Sequence, residues 1–241
     1  MNAGRERIPF IDLASQYLEL RDKIDTAVAR VIASGRYLLG PELESFEEAY
    51  AAYVGTRHCV GVGSGLDALM LILRALEIGP GDEVIVPAHT FIATWLAVVH
   101  CGARPIPVEP DPDSFNLDAQ RVAGAITPRT RAVIAVHLYG LPADVEAIAA
   151  ALPRRDIVLI EDAAQAHGAV YRGRRAGALG RAAAWSFYPT KNLGALSDGG
   201  AITTDDASLA ARVRALRKSP AEHAIPARDE LEGGHHGEAI Q

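Results

Sequence analysis

The sequence predicts an α/β fold in which a mostly parallel β-sheet lies between helices. Three observations carry that expectation. Several apolar runs are almost uninterrupted, RAVIAVHLYG (131–140) and RDIVLIEDAA (155–164) among them, which suits strands buried on both faces. Stretches with helical apolar spacing separate those runs. Glycine, serine or acidic residues stand where strands give way to helices, the edge at which such sheets bind ligands.

The elements follow in order. RDKIDTAVARVIASG (21–35) places Ile24, Ala27, Val28, Val31 and Ile32 on one helical stripe, and Gly35 stops it. PELESFEEAYAAYVG (41–55) opens on Pro41, has acids in its first turns and ends at Gly55, which is helix punctuation at both ends. The period then shifts. HCVGVG (58–63) is a short strand, and SGLDALMLILRALEIG (64–79) is an apolar helix opening directly after it. DEVIVPA (82–88) is a strand, FIATWLAVVHCG (91–102) a helix, and RPIPVEPD (104–111) a short strand broken by prolines. LDAQRVAGAI is helical, 131–140 is a buried strand, DVEAIAAAL is helical and 155–164 is another buried strand. AAAWSFY (182–188) and GAITTD (200–205) are two more strands, and LAARVRALRK (209–218) is a helix.

Composition narrows the function classes. The 241 residues fit one large domain or two small ones, at a prior of roughly 150 residues per domain. A net charge of -6 gives no electrostatic reason to expect nucleic acid or an anionic membrane as the main partner. Cys59 and Cys101 form no CxxC pair, so no zinc site is expected, and buried free thiols are. MNAGRERIPFIDLASQ has a basic start but no apolar core, and no apolar run reaches about 18 residues. The chain therefore reads as a cytoplasmic protein.

Three stretches carry chemistry. GVGSGLDAL joins a strand, a glycine turn and a helix N-terminus, whose free N–H groups suit a phosphate; a plain tight turn fits it equally. It lacks the GxGxxG and GxxxxGK[ST] patterns, which leaves nicotinamide-dinucleotide and nucleoside-triphosphate chemistry weakly supported. VLIEDAAQAHG puts Glu161 and Asp162 at the end of an apolar strand. A buried carboxylate needs a partner, such as an arginine or a protonated ring nitrogen, although Asp162 also suits a helix cap. His167 fits a packed, hydrogen-bonded role. SFYPTKNLGALSDGG sets Lys191 alone among turn-forming residues. An amine there is either a solvated loop lysine or a nucleophile able to form a Schiff base. A phosphate cradle, an acid for a ring nitrogen and an amine together match pyridoxal 5'-phosphate.

These segments, with GPGDEVIVPAHTFIATWLAV, VEPD and VHLYG, resemble the DegT/DnrJ/EryC1/StrS sugar aminotransferases over residues 8 to 218. The resemblance implies the large domain of the aspartate-aminotransferase-like fold (type I of the pyridoxal-phosphate enzymes). It implies that Lys191 holds the cofactor and moves a proton between the donor's α-carbon and the cofactor. Asp162 would pair with the ring nitrogen, and Gln165 with the ring's 3-oxygen. Phe91 would stack on the ring, although a core aromatic fits its apolar neighbours as well. Backbone N–H groups of Gly65 and Leu66 and the Ser186 hydroxyl would hold the phosphate. The Leu66 side chain replaces a hydroxyl residue common in relatives. His137, Tyr139 and Tyr188 fall near the site or pack around it.

Lysine at 191, where related dehydratases carry histidine, favours amino transfer. The implied donor is L-glutamate. The implied acceptor is a nucleotide-linked keto sugar, most like a dTDP-linked 3-keto-6-deoxyhexose in amino-sugar biosynthesis for an antibiotic or a polysaccharide. A homodimer is implied for the full-length form.

The resemblance stops near Lys218. The expected organisation is a cofactor-binding large domain over 1–218, with its N-terminal helical segment, and a poorly ordered, non-family tail over 219–241 that carries His235 and His236. The small C-terminal domain is expected to be missing, apolar surface to be exposed, and turnover of this chain alone to be weak or absent. The alternative is an inactive fragment that serves as a binding or interaction module.

Overall fold

A computed structural model describes residues 9–217; the expectations for 219–241 lie outside the described residues. Seven strands form one sheet, each bounded close to its apolar run. They are β1 (His58–Val62), β2 (Glu83–Pro87), β3 (Arg104–Val108), β4 (Thr130–Val136), β5 (Val158–Asp162), β8 (Ala182–Ser186) and β9 (Gly200–Thr204). Two-residue strands β6 (Val170–Tyr171) and β7 (Arg174–Arg175) form a separate hairpin that periodicity does not reveal. The helices are α1 (Leu13–Ser34), α2 (Pro41–Val54), α3 (Gly65–Ala75), α4 (Ala93–His100), α5 (Ala119–Ala125), α6 (Val145–Ala151) and α7 (Ala207–Arg217).

The sheet order is β1-β9-β8-β5-β4-β2-β3. The pairs from β8 to β3 are parallel, and β9 runs antiparallel to both of its neighbours. The expected mostly parallel sheet between helices is therefore present. Alternation along the strands sorts the side chains onto two faces. Ala132, Ile134, Ile160, Ala184 and Ile202 join the core made with α3, α4 and α7. Val133, Ala135 and Leu159 face the other way, toward α5 and α6. Ala183, Trp185 and Ala201 face that same way, toward Tyr50 and Val54 of α2.

Both sheet edges are blocked. On β3, the Arg104 N–H donates to Asp82 O at 2.9 Å, so the pleat turns Pro105 and Pro107 to the free side, where no N–H is needed. On β1, the Gly61 N–H donates to Glu47 Oε1 at 2.8 Å, Arg217 donates to Gly61 O at 2.8 Å, and Arg214 donates to Cys59 O at 3.0 Å.

The helix α1 starts eight residues before the expected Arg21. Asp12 caps it, accepting from Ala14 N at 3.1 Å and Ser15 N at 3.2 Å. Only part of its predicted stripe is covered: Ile24, Ala27 and Val31 are half-buried, whereas Val28 and Ile32 are exposed. Cys59 is a buried free thiol, its pKa pushed up to about 12 by burial, and Cys101 is half-buried and also free. Among the described residues no helix is long and apolar enough to cross a membrane.

Candidate active site

Asp162 closes β5 and Ser186 closes β8, strands that lie side by side and parallel. Both side chains point to the face covered by α3 and α4. Asp162 is 7% exposed. Its Oδ2 accepts from the Thr94 hydroxyl of α4 at 2.8 Å, and its Oδ1 accepts from the Ala164 N–H at 3.3 Å. No helix follows β5, so the capping alternative for Asp162 is not realised. Burial raises its pKa; the Thr94 hydroxyl, the Ala164 N–H and the charge of Lys191 oppose that rise.

Lys191 is half-buried on the loop between β8 and β9, its N–H donating to Tyr188 O at 2.8 Å. Its charge acts on both Asp162 and His167. The loop is tied across its base, Phe187 N to Gly199 O and Ala195 N to Phe187 O, both at 2.7 Å.

Gly65 is the first residue of α3, after Ser64, which caps the helix by accepting from Asp67 N at 3.1 Å and donating to Asp67 Oδ2 at 2.9 Å. A Cβ on Gly65 would meet Ser186 Cβ at 2.8 Å, so only glycine lets the helix N-terminus reach β8. The Gly65 and Leu66 N–H groups precede the first intrahelical bonds and point out of the helix end. The Leu66 side chain packs against the core below, which leaves its backbone as its polar contribution.

Gln165 Oε1 accepts from Tyr139 N at 2.7 Å. A backbone N–H can only donate, so this fixes the amide and frees Nε2 to donate elsewhere. Phe91 is 68% exposed before α4, which excludes the core-aromatic alternative. Tyr188 is exposed, and its N–H donates to Ser186 Oγ at 3.3 Å.

The histidines are structural in their contacts. His167 Nε2 donates to Ser186 O at 2.9 Å, so Nδ1 accepts from the Tyr50 hydroxyl at 2.8 Å. Burial lowers the His167 pKa and keeps the ring neutral. His137 is fully buried on the opposite face: Nδ1 accepts from Ala143 N at 3.0 Å and Nε2 donates to Glu161 Oε2 at 2.9 Å. Glu161 also accepts from Gly177 N at 2.6 Å, Leu179 N at 2.8 Å and Gly180 N at 2.6 Å.

All seven predicted residues thus lie on loops, strand ends and the N-terminus of α3 at one end of the sheet's strands. The sequence reading missed Thr94, which touches Asp162, and Thr90, whose hydroxyl is 2.9 Å from that of Thr94. It also missed Gly200, where a Cβ would meet Ser64 O at 2.2 Å. The spacing of Thr90 and Thr94, four apart at the start of a helix, is the one signal that could have found the pair.

The chain is similar to several known proteins. The dTDP-3-amino-3,4,6-trideoxy-alpha-D-glucose transaminase of Streptomyces venezuelae is 61% identical over 215 residues, covering 89% of this chain and 57% of its own length. The crystal structure of S. venezuelae DesV in complex with a ketimine intermediate superposes with a TM-score of 0.86 at 60% identity, covering 89% of this chain and 58% of that one. NtdA from Bacillus subtilis with bound cofactor PMP gives 0.79 at 36%, over 88% and 48%. The chain therefore spans about half the length of these relatives. The DegT/DnrJ/EryC1/StrS aminotransferase family pattern matches residues 19–234, and with the site geometry and these relatives it shows that the chain belongs to that family.

Proposed function

We propose that this chain is the cofactor-holding part of a pyridoxal-phosphate aminotransferase that moves an amino group from L-glutamate to a nucleotide-linked keto sugar. The observation that carries the reading is Asp162. A carboxyl buried at a strand end, raised by that burial and bonded to one hydroxyl and one N–H, suits a cationic ring nitrogen. The rest of the edge fits the same group. The Gly65–Ser186 approach makes a cradle for a phosphate, and the freed Gln165 Nε2 can donate to a phenolic oxygen.

When bound, the cofactor supplies an electron sink for the donor's amino-acid carbon. The chain's residues do the rest. Lys191 would hold the cofactor through its amine and would move a proton at the donor's α-carbon. Asp162 would pair with the ring nitrogen and favour its protonated form, with Thr94 holding the carboxylate in line. Phe91, exposed ahead of α4, would cover one ring face. Gly65 and Leu66 N–H groups, with the Ser186 hydroxyl, hold the phosphate. The acceptor is a dTDP-linked 3-keto-6-deoxyhexose, in line with the product named for the Streptomyces venezuelae relative. The working unit is a homodimer of the complete protein, and the reaction is cytoplasmic. The interaction-module alternative has no residue of this edge in its favour.

The test is optical. Purified chain mixed with the cofactor is expected to show a lysine-linked absorbance band, and borohydride is expected to fix the added mass on Lys191. Lys191→Ala is expected to lack both. A parent protein that shows neither band nor mass overturns the reading.

A further inference from the structure

We propose that His89, Phe115 and Tyr139 form an aromatic platform that stacks the planar base of a nucleoside diphosphate, the carrier end of the acceptor; the inference rests on the aminotransferase reading above. The three residues come from loops after β2, β3 and β4. Their ring centroids lie 6.0 Å (His89–Phe115), 6.4 Å (His89–Tyr139) and 6.5 Å (Phe115–Tyr139) apart, at interplanar angles of 52°, 60° and 77°. The platform is therefore tilted, with one ring face free to stack a base while the neighbouring rings border it, and His89 Nε2 is 3.2 Å from the Tyr139 hydroxyl. All three are exposed, Phe115 at 46% and Tyr139 at 70%.

The backbone beneath them is strained. Phe115 has φ 60° and Tyr139 φ 56°, a left-handed conformation that disfavours any residue with a Cβ. Neither ring is buried in return, so packing does not explain why these positions are aromatic. The surrounding structure holds them there. Asn116 is 4% exposed, and both ends of its amide are used: Nδ2 donates to Leu141 O at 3.0 Å and Oδ1 accepts from Leu138 N at 3.2 Å. That amide clamps the Phe115 turn to the Tyr139 turn. Gln165 Oε1 fixes the Tyr139 N–H from the other side. Strain over-determined by its surroundings and spent on exposed rings points to a ligand.

Placement selects the ligand. Gly65 and Ser186, which approach each other on the β8 side of Asp162, would hold the phosphate end of the cofactor there, which leaves the β4, β2 and β3 side for the acceptor. At about 4.8 Å per strand, the platform runs from roughly 5 to 14 Å from β5. A sugar reacting near β5 and carrying a diphosphate and ribose sends its base outward over that range. Exposed rings stack any base through its π-face.

Thymidine 5'-diphosphate is the probe, titrated into cofactor-loaded chain by calorimetry and by saturation-transfer NMR. The thymine ring protons are expected to receive saturation. Tyr139→Gly and Phe115→Gly relieve the left-handed strain while removing the ring. Each is expected to raise the melting temperature and to weaken binding about tenfold. Tyr139→Leu keeps bulk without a π-face and is expected to weaken binding similarly. Unchanged affinity in these folded variants, saturation confined to the ribose, or equal competition by glucose 1-phosphate would each overturn the platform. The cofactor band is recorded on the same samples. Nucleotide stacking without that band leaves the platform standing and sinks the aminotransferase reading; the band without stacking does the reverse.

Discussion

The Thr94 hydroxyl donates to Asp162 Oδ2 at 2.8 Å, and its own oxygen is therefore left to accept from Thr90, 2.9 Å away. The start of α4 thus aims a two-hydroxyl chain at the end of β5. Thr94→Val removes the donor while keeping the shape. A hydrogen bond to a charged group contributes about 1.5–3 kcal/mol, so cofactor affinity is expected to fall about tenfold or more. Spectroscopic titration with the cofactor reads this directly. An unchanged dissociation constant would remove Thr94 from the site.

Asp162 makes the cofactor-free protein sensitive to pH in a defined direction. Burial raises its folded pKa above the unfolded value, so the folded state holds the extra proton between the two. Stability therefore declines as pH rises through that window, and the penalty is complete above the folded value. Asp162→Asn lacks the penalty. Without cofactor it is expected to melt above the parent at about pH 7, and the two are expected to converge below the ordinary aspartate value of about 3.9. A variant less stable than the parent at neutral pH would contradict this account.

Glu161 is fully buried, and its carboxylate takes N–H bonds from His137, Gly177, Leu179 and Gly180. It joins the loop after β4 to the segment entering β8. Glu161→Gln brings an NH2 group against donors and leaves at least one of them unpaired. The expected loss is about 3 kcal/mol or more, measured by denaturant unfolding. A loss under about 1 kcal/mol would mean that the pocket rearranges around an amide.

Asp206 caps α7, accepting from Ser208 N at 2.9 Å and Leu209 N at 3.1 Å. The Ser208 hydroxyl, the Leu209 N–H and the Arg181 guanidinium hold its pKa down, at about 2. A depressed carboxyl stabilises the fold above its unfolded value, and the benefit is lost as pH falls toward about 2. Asp206→Ala is expected to cost about 1 kcal/mol at neutral pH, and to cost nothing in acid below that range. Thermal melts across pH would show both.

The element order was legible because nearly every strand is an unbroken apolar run and nearly every helix has its own stop signal. Gly35 and Gly55, both left-handed, end α1 and α2 as their positions foretold. The antiparallel course of β9 was not legible, since GAITT reads the same in either direction. The early start of α1 was missed although Leu13, Leu18 and Leu20 precede Arg21; these side chains are exposed and do not extend the half-buried stripe of Ile24, Ala27 and Val31. At the site, Lys191, Asp162, Gln165 and Ser186 stand out as chemical types next to strand ends. Thr94 does not, because a threonine in an apolar helix has no signature until the fold sets it beside a carboxylate. The partners of Glu161 are backbone N–H groups, which no side-chain pattern reports.

The two sheet edges have a consequence for how this protein meets copies of itself. Pro105 and Pro107 remove donors from one edge, and Glu47, Arg214 and Arg217 already occupy polar groups of the other. Neither edge offers a free ladder for an incoming strand. Growth of the sheet from molecule to molecule, the usual route to fibrous aggregates, is closed at both ends, so any assembly has to be built from helix and loop surfaces instead.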